Sequence, residues 1–190
     1  MFDLNNYYRL RNANGDTLSL GAFNGASSFV VWKKDAKGRP AIKIKVSPVF
    51  AADIAKKLTE LAGPNASEGR IPYVIQKYNP DTKRFEVESS ICIVRDDKNI
   101  FSIELSANGS GAKFEIRANQ LYSDGSAPIS KEARSLNGVK ELIIALTKQL
   151  PEADLLSTYG MKSGGKSDPF AGKSSSTSRD NSASDDIVAF

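Results

Sequence analysis

Histidine is absent from this 190-residue sequence, and cysteine occurs once, as Cys92. Without histidine the chain lacks the commonest general base, the usual partner of a serine or cysteine nucleophile, and the commonest metal ligand. A single cysteine cannot form an internal disulfide or a cysteine-based zinc site, and it fits a reducing compartment. These absences predict a protein that is not an enzyme and uses no metal or cofactor. Cys92 itself is expected to be a buried thiol on a strand.

Long apolar runs are also missing. No stretch of 18 apolar residues occurs, and the N-terminal sequence MFDLNNYYRL has neither the basic region nor the apolar region of a signal peptide. We therefore expect a cytoplasmic protein without a membrane partner.

Acidic residues are scarce in the first part of the chain. Residues 1–70 contain eleven Lys or Arg and six Asp or Glu, a balance of +5. Residues 71–159 contain eleven and twelve, and residues 160–190 contain four of each, so the net charge of +4 is concentrated at the start of the chain. Positive charge distributed in this way predicts a face that binds a polyanion.

Alternation of apolar and polar residues predicts strands in both halves of the chain. Ile42, Ile44 and Val46 alternate with Lys43 and Lys45, which predicts a strand with one buried face and one cationic face. The same alternation occurs over 101–106 and 113–118. Asn-Gly and other turn sequences separate the remaining predicted strands, which cover 7–12, 16–23, 28–34, 72–78 and 84–96.

Two helices are predicted between and after these strands. The first has Ser47 as its N-cap and Pro48 at its first position, and it ends at Gly63-Pro64. The second lies within 129–150 and ends before Pro151, with a possible break at Asn137-Gly138.

The order of elements predicts an α+β fold built from a tandem ββββα repeat, with antiparallel sheets backed by the two helices. The segment Ser27–Asp35 lines up with Ser89–Asp97, which supports a duplication. We predict a core over 1–159, with repeats at about 5–64 and 71–150. An OB barrel is the alternative fold, but two strand clusters that each end in a helix suit it less well.

The strand parity places a basic and aromatic surface on the first repeat. If the apolar residues of these strands point inward, Tyr7, Arg9, Arg11, Phe23, Lys43 and Lys45 point outward, with Trp32 and Lys34 as their neighbours. Cations that follow phosphates, together with rings that stack on bases, are what sequence-tolerant binding of a single strand requires. These residues form the candidate nucleic-acid site.

The last 31 residues differ in composition from the rest. From Gly160 onward the sequence is rich in Ser, Gly and Asp, which predicts a flexible tail over 160–190. The tail nevertheless ends in Asp185-Asp186-Ile187-Val188-Ala189-Phe190. An acidic segment with an apolar end predicts a peptide that docks on a partner, with Asp185, Asp186, Ile187 and Phe190 as the contact residues. The alternative is that this tip folds back on the core.

The tail resembles that of bacterial and phage single-stranded DNA-binding proteins, in which clustered Asp, a branched aliphatic residue and a terminal Phe follow a Ser/Gly-rich linker. The core resembles the fold shared by the Whirly proteins and the transcriptional positive cofactor family. The sequence of residues 37–42, Lys-Gly-Arg-Pro-Ala-Ile, is similar to the Lys-Gly-Lys-Ala-Ala-Leu signature of plant Whirly proteins and adds Lys37 and Arg39 to the predicted site.

These resemblances imply a homo-oligomer, a tetramer or a dimer, that acts in replication or transcription of a phage or bacterium. The combination of core and tail also looks like the phage single-stranded DNA-binding cofactors that recruit a phage RNA polymerase. Our hypothesis is therefore sequence-tolerant binding of single-stranded DNA, in the host cytoplasm if the protein is phage-encoded. The tip would recruit a phage or host RNA polymerase or a replication protein. The alternatives are an RNA-binding or RNA-chaperone protein, and a module whose basic face binds an acidic protein.

Overall fold

The computed structural model describes residues 8–23, 26–35, 39–118 and 128–149, and it shows two antiparallel sheets and two helices. Each sheet has four strands in chain order, and each is followed by one helix. The first unit comprises β1 (Tyr8–Arg11), β2 (Thr17–Phe23), β3 (Ala26–Trp32), β4 (Ile42–Lys45) and α1 (Pro48–Leu61). The second comprises β5 (Gly69–Asn79), β6 (Arg84–Arg95), β7 (Phe101–Ala107), β8 (Ser110–Glu115) and α2 (Lys131–Ile144).

The α+β fold and its ββββα order agree with the prediction, because each predicted strand and helix is present within a few residues of its expected position. The internal similarity that suggested a duplication does not match equivalent strands, however. Ser27–Asp35 begins on β3, the third strand of its sheet, whereas Ser89–Asp97 begins on β6, the second strand. Both segments are buried β-branched strands that end in charged turns, and this shared environment accounts for their likeness.

The inward faces of both sheets meet the helices in one hydrophobic core. Alternation on each strand supplies this core, since successive side chains of a strand point to opposite faces. One inward row of the first sheet is Leu10, Leu18, Val31 and Ile42, and one inward row of the second is Ile71, Ile93, Ile103 and Phe114. The two repeats are therefore halves of a single packed unit.

Helix α1 begins as the sequence predicts. The Ser47 hydroxyl accepts a hydrogen bond of 3.2 Å from the backbone N–H of Phe50, and Pro48 occupies the first turn, where no intrahelical donor is needed. Its apolar stripe, Ala51, Ile54, Ala55 and Leu58, is buried in the core.

Among the described residues, no helix is long and apolar enough to cross a membrane.

Helix α2 runs through Asn137-Gly138 without a break and continues as a π-helical turn over Ala145–Gln149. Gly138 faces the segment after β8 so closely that a Cβ there would lie 2.6 Å from the Cα of Arg117. The buried Ser135 hydroxyl accepts a hydrogen bond from the Phe101 N–H and donates one to the Ile116 carbonyl, both of 2.8 Å. The helix is thereby held against the second sheet.

The β1–β2 turn joins the two repeats through the buried carboxylate of Asp16. This carboxylate accepts hydrogen bonds from the Lys33 ammonium and the Lys34 backbone N–H, each of 3.1 Å, and from the Asn12 amide. The Lys33 ammonium also donates to the carbonyl of Gly111 on β8, at 3.2 Å. Burial by itself would raise the pKa of Asp16, but these hydrogen bonds outweigh it and lower the pKa below its usual value.

Candidate nucleic-acid interface

The outward face of the first sheet carries most of the predicted binding residues. Arg9 pairs with Ser19, Ser19 with Val30, and Val30 with Lys43, so these four side chains form one row across the sheet. The next rows contain Arg11, Thr17 and Trp32 on one side, and Gly21, Ser28 and Lys45 on the other. The pairing therefore places in one row residues that are up to 34 positions apart in the chain.

The cations lie on the two edge strands of this sheet. Arg9 and Arg11 are exposed on β1, and Lys43 and Lys45 are exposed on β4, three strands away. With about 4.8 Å between neighbouring strands, the two cationic edges are about 14 Å apart. In the described part of the chain none of these four side chains forms an ion pair, so their charges are available to a ligand.

The centre of the face is covered. Val30 is 1% exposed, and the small side chains of Ser19 and Ser28 are buried as well. Trp32, at the end of β3, is half-buried and shares a row with Arg11. The accessible part of this face consequently consists of the Trp32 ring and of a cationic margin formed by Arg9, Arg11, Lys43 and Lys45. The middle of the sheet offers no open surface on which a base could stack.

One more cation, Lys34, lies beside Arg11 at the β1–β2 turn. Gly15 in this turn has a positive φ of 87°. The Lys34 side chain and the Arg11 guanidinium flank it: a Cβ added at Gly15 would lie 3.0 Å from the first and 3.6 Å from the second. The side chain of Lys34 is exposed, whereas Lys33 is held by Asp16. Arg39, just before β4, is also exposed. Of these two adjacent lysines, Lys33 therefore stabilises the fold, whereas Lys34 is available to a ligand.

Arg117 lies beside Arg11, although no sequence pattern predicted it in the site. Its guanidinium donates a hydrogen bond of 3.2 Å to the carbonyl of Arg11, 106 residues earlier in the chain. The residue follows β8, and β8 lies beside β1. No local pattern could reveal this neighbour, because the contact depends on how the two sheets pack.

The corresponding face of the second sheet is electrically different. Arg70 and Lys113 both approach the Glu104 carboxylate, at 3.9 Å and 2.9 Å, and Glu115 is exposed on the same face. A shallow cavity of about 610 Å³ lies here, lined in part by these three paired side chains and by Cys92. Because its cations are already paired, this face is the poorer candidate for a polyanion.

Cys92 departs from the prediction of a buried thiol. It lies on a strand as expected, but it is half-buried on the outward face of β6, where the Arg70 guanidinium is 3.7 Å from its sulfur. The described residues contain no group of three or more His, Cys, Asp or Glu side chains that could hold a metal ion.

Several predicted residues lie outside the described part of the chain. These are Tyr7 and Lys37 of the basic face and the tip residues Asp185, Asp186, Ile187 and Phe190. Phe23 is placed by its backbone at the end of β2, opposite Ala26. The described members of the predicted site are Arg9, Arg11, Trp32, Lys34, Arg39, Lys43 and Lys45.

Comparisons with known proteins identify no family for this chain. The resemblance of the tail and core to single-stranded DNA-binding proteins stays a prediction from the residues that carry it. No family model, no curated protein and no solved structure matches the chain.

Proposed function

We propose that this protein binds single-stranded DNA, without strong sequence preference, along the cationic margin of the first sheet. The proposal rests on the difference in charge between the outward faces of the two sheets. In the first sheet the described outward side chains include four unpaired cations and no carboxylate, whereas in the second the cations are paired with Glu104. Unpaired cations gain most from a phosphate backbone, because binding releases the counterions of the nucleic acid.

The arrangement favours a single strand over a duplex. Trp32 is the only tryptophan of the chain, and it lies in the same row as Arg11. A base can stack on this ring only when it is not held in a duplex stack, and each stacked base contributes about 1 to 3 kcal/mol. Tyr7 and Phe23 are further candidate rings of the predicted site. The proposed role is non-enzymatic and fits a Whirly-like core.

The proposed biological setting is replication or transcription of a phage or bacterium. The acidic tip around Asp185, Asp186, Ile187 and Phe190 would recruit an RNA polymerase or a replication protein, since an acidic peptide with an apolar end suits a basic pocket on a partner. Binding of the strand and recruitment of the partner would then be carried by different parts of one chain.

The test is a titration of the protein with poly-dT, followed through the fluorescence of Trp32, at low and high salt. We expect quenching by poly-dT, much weaker binding of duplex DNA, and an affinity that falls steeply with salt. Replacing both β4 lysines, Lys43→Gln and Lys45→Gln, should weaken binding about tenfold or more. It should also reduce the slope of log K against log salt by about 0.7 for each phosphate that the variant no longer neutralises.

The matched control replaces two exposed helical lysines, Lys56→Gln and Lys140→Gln, with the same change in net charge. This variant should bind poly-dT almost as tightly as the wild type. Equal weakening in both variants would mean that only the total charge matters and would contradict a site on the first sheet. Preference for a matched RNA over DNA would favour the RNA-binding alternative, because only RNA offers the 2′-hydroxyl.

A further inference from the structure

The hairpin formed by β5 and β6 extends beyond the rest of the second sheet. The pairing of β6 with β7 ends at Ser89 opposite Ala107, whereas the pairing of β5 with β6 continues to Asn79 opposite Arg84. The segments 76–79 and 84–87 therefore form a two-stranded ribbon, and all residues from 80 to 88 are exposed. A ribbon of two strands gains little stability by itself and commonly packs on something else.

A β-bulge gives this ribbon one apolar face. Ile75 pairs with Ser89 but Gln76 pairs with Val87, so Glu88 is the extra residue. Because of this extra residue, Phe85 and Val87 point away from the core, to the same side as Tyr78. The apolar side chains on this face, with their exposed fractions, are Val74 (58%), Tyr78 (49%), Phe85 (67%) and Val87 (64%). We call these four residues the hairpin stripe.

The hairpin stripe is ordered by contacts within the ribbon. The Tyr78 and Phe85 rings meet edge to face, with centroids 5.5 Å apart. On the opposite face, the Glu86 carboxylate accepts hydrogen bonds from Asn79 at 3.1 Å and Thr82 at 2.8 Å. These bonds hold the pKa of Glu86 below its usual value. The ribbon thus presents a formed surface of apolar side chains to one side only.

The charges of the ribbon argue against a polyanion as its partner. With the bulge residue Glu88 counted, its three cations are balanced by three carboxylates, so the hairpin over 76–88 has no net charge, in contrast to the first sheet. These six residues are Lys77, Lys83, Arg84, Asp81, Glu86 and Glu88. A neutral surface with a central apolar stripe does not repel a second copy of itself, as a surface of one sign would.

The free edge of β5 fits such a copy. Among the described residues no strand pairs with this edge, which is a template for a further strand. Pro72 has no N–H to donate, so continuous pairing is available from Tyr73 to Asn79, and the midpoint of that segment is Gln76. Antiparallel pairing with a second copy about this midpoint sets Val74 opposite Tyr78 of the second copy. The same pairing sets Lys77 opposite Ile75 of the second copy.

This register is favourable on both faces. Val74 opposite an aromatic ring is a stabilising cross-strand pair, and it continues the hairpin stripe from one copy into the other. The single charge of the paired segment, Lys77, faces an apolar residue rather than another lysine. A register centred one residue later would set Lys77 opposite Lys77, and like charges directly opposite are destabilising.

We propose that the chain forms a symmetric dimer in which β5 pairs antiparallel with β5 of a second copy, centred on Gln76. The hairpin stripes of the two copies then join into one apolar surface across a continuous sheet. The dimer does not depend on DNA binding, since the first sheet takes no part in it.

Disulfide cross-linking tests the register directly. In a Cys92→Ser background, Gln76→Cys places one thiol of each copy directly opposite the other, at a Cα separation of about 4.5 to 5.5 Å, which is within the range of a disulfide. We expect rapid formation of a covalent dimer with oxidised glutathione. Lys77→Cys in the same background should cross-link at least about tenfold more slowly. Equal or faster cross-linking of Lys77→Cys would overturn the register.

The mass in solution tests the surface. The double variant Val74→Lys and Tyr78→Lys puts four cations into the proposed interface, so its mass by sedimentation should be half that of the wild type, with an unchanged circular dichroism spectrum. Val49→Lys, at an even more exposed apolar residue on α1, should keep the wild-type mass. A monomeric wild type, or a double variant of unchanged mass, would overturn the dimer. Loss of poly-dT affinity in the double variant without a change in its mass would also overturn the dimer. That result would indicate that the hairpin stripe binds DNA.

Discussion

Two tyrosines show how the same side chain is used differently in this protein. Tyr8 is 3% exposed on β1, and its hydroxyl has no hydrogen-bond partner in the described part of the chain. Burial and the nearby Glu141 carboxylate raise its pKa. Tyr73 is half-buried on β5, and its hydroxyl donates a hydrogen bond of 2.8 Å to Asp53 on α1. One hydroxyl therefore costs free energy in the folded state, and the other links a strand to a helix.

Replacing each tyrosine by phenylalanine should have opposite effects on stability. Tyr8→Phe removes an unpaired buried hydroxyl and should raise the free energy of unfolding by about 1 kcal/mol, whereas Tyr73→Phe removes a hydrogen bond to a carboxylate and should lower it by about 1 kcal/mol. Urea unfolding at pH 7 measures both. A destabilised Tyr8→Phe variant would show that the hydroxyl has a partner in the native protein.

At the scale of elements, close approach of backbones explains Gly138 in the middle of α2. Glycine inside a helix normally costs about 1 kcal/mol relative to alanine. Here a Cβ would lie 2.6 Å from the Arg117 Cα and 2.7 Å from the Ala118 N, both backbone atoms. The glycine therefore allows α2 to lie directly on the segment after β8, which carries Arg117 to the cationic margin.

Gly138→Ala should consequently be destabilising, although the same change in an exposed helix is stabilising. Overpacking against backbone should lower the free energy of unfolding by about 1 to 3 kcal/mol. The neighbouring change Asn137→Ala is the control and should be neutral or slightly stabilising, since alanine is the better helix former. Thermal and urea unfolding of the two variants measure this difference. A stabilised Gly138→Ala variant would show that the helix can move away from the strand segment without cost.

The β5–β6 hairpin shows a second effect at the scale of elements. Simple alternation along β6 assigns Phe85 and Val87 to the same face as the buried residues Ile91 and Ile93. The extra residue at Glu88 reverses this assignment, and both side chains become exposed. Alternation could not predict the reversal, because a bulge is determined by pairing with the neighbouring strand and not by the strand's own sequence.

At the scale of the whole molecule, two units of the same order have different surfaces. Among the described residues, the first sheet has cations without an ion pair at both margins, and the second pairs its cations with Glu104 and extends a neutral hairpin. Under the proposed functions, one sheet would bind the nucleic acid and the other would join two copies of the chain. The tail would add a third contact, to a polymerase or replication protein.

Removal of residues 181–190 tests this division of roles. Under the proposed function, the acidic tip on its predicted flexible tail would have a high effective concentration near the cationic margin and would compete there with DNA. The truncated chain should therefore bind poly-dT with equal or higher affinity, while recruitment of a polymerase is abolished. Affinity measured by Trp32 fluorescence and recruitment measured by co-sedimentation on coated DNA check the two effects. A chain that binds DNA more weakly after truncation would contradict the competition.

The sequence by itself determined the elements and the distribution of charge. Alternation, the Ser47 cap, Pro48 and the turn residues act over a few neighbours, so the strands and helices could be predicted from local patterns. The outward positions of Arg9, Arg11, Lys43 and Lys45 followed from the same alternation.

Tertiary structure decided which of these residues are neighbours and which are free. The contact of Arg117 with Arg11, the capture of Lys33 by Asp16 and the covered centre around Val30 all depend on how distant segments pack. The exposed hairpin stripe depends on a register shift between two strands. Local sequence carries no information about such contacts, because their energies arise only when segments far apart in the chain are brought together.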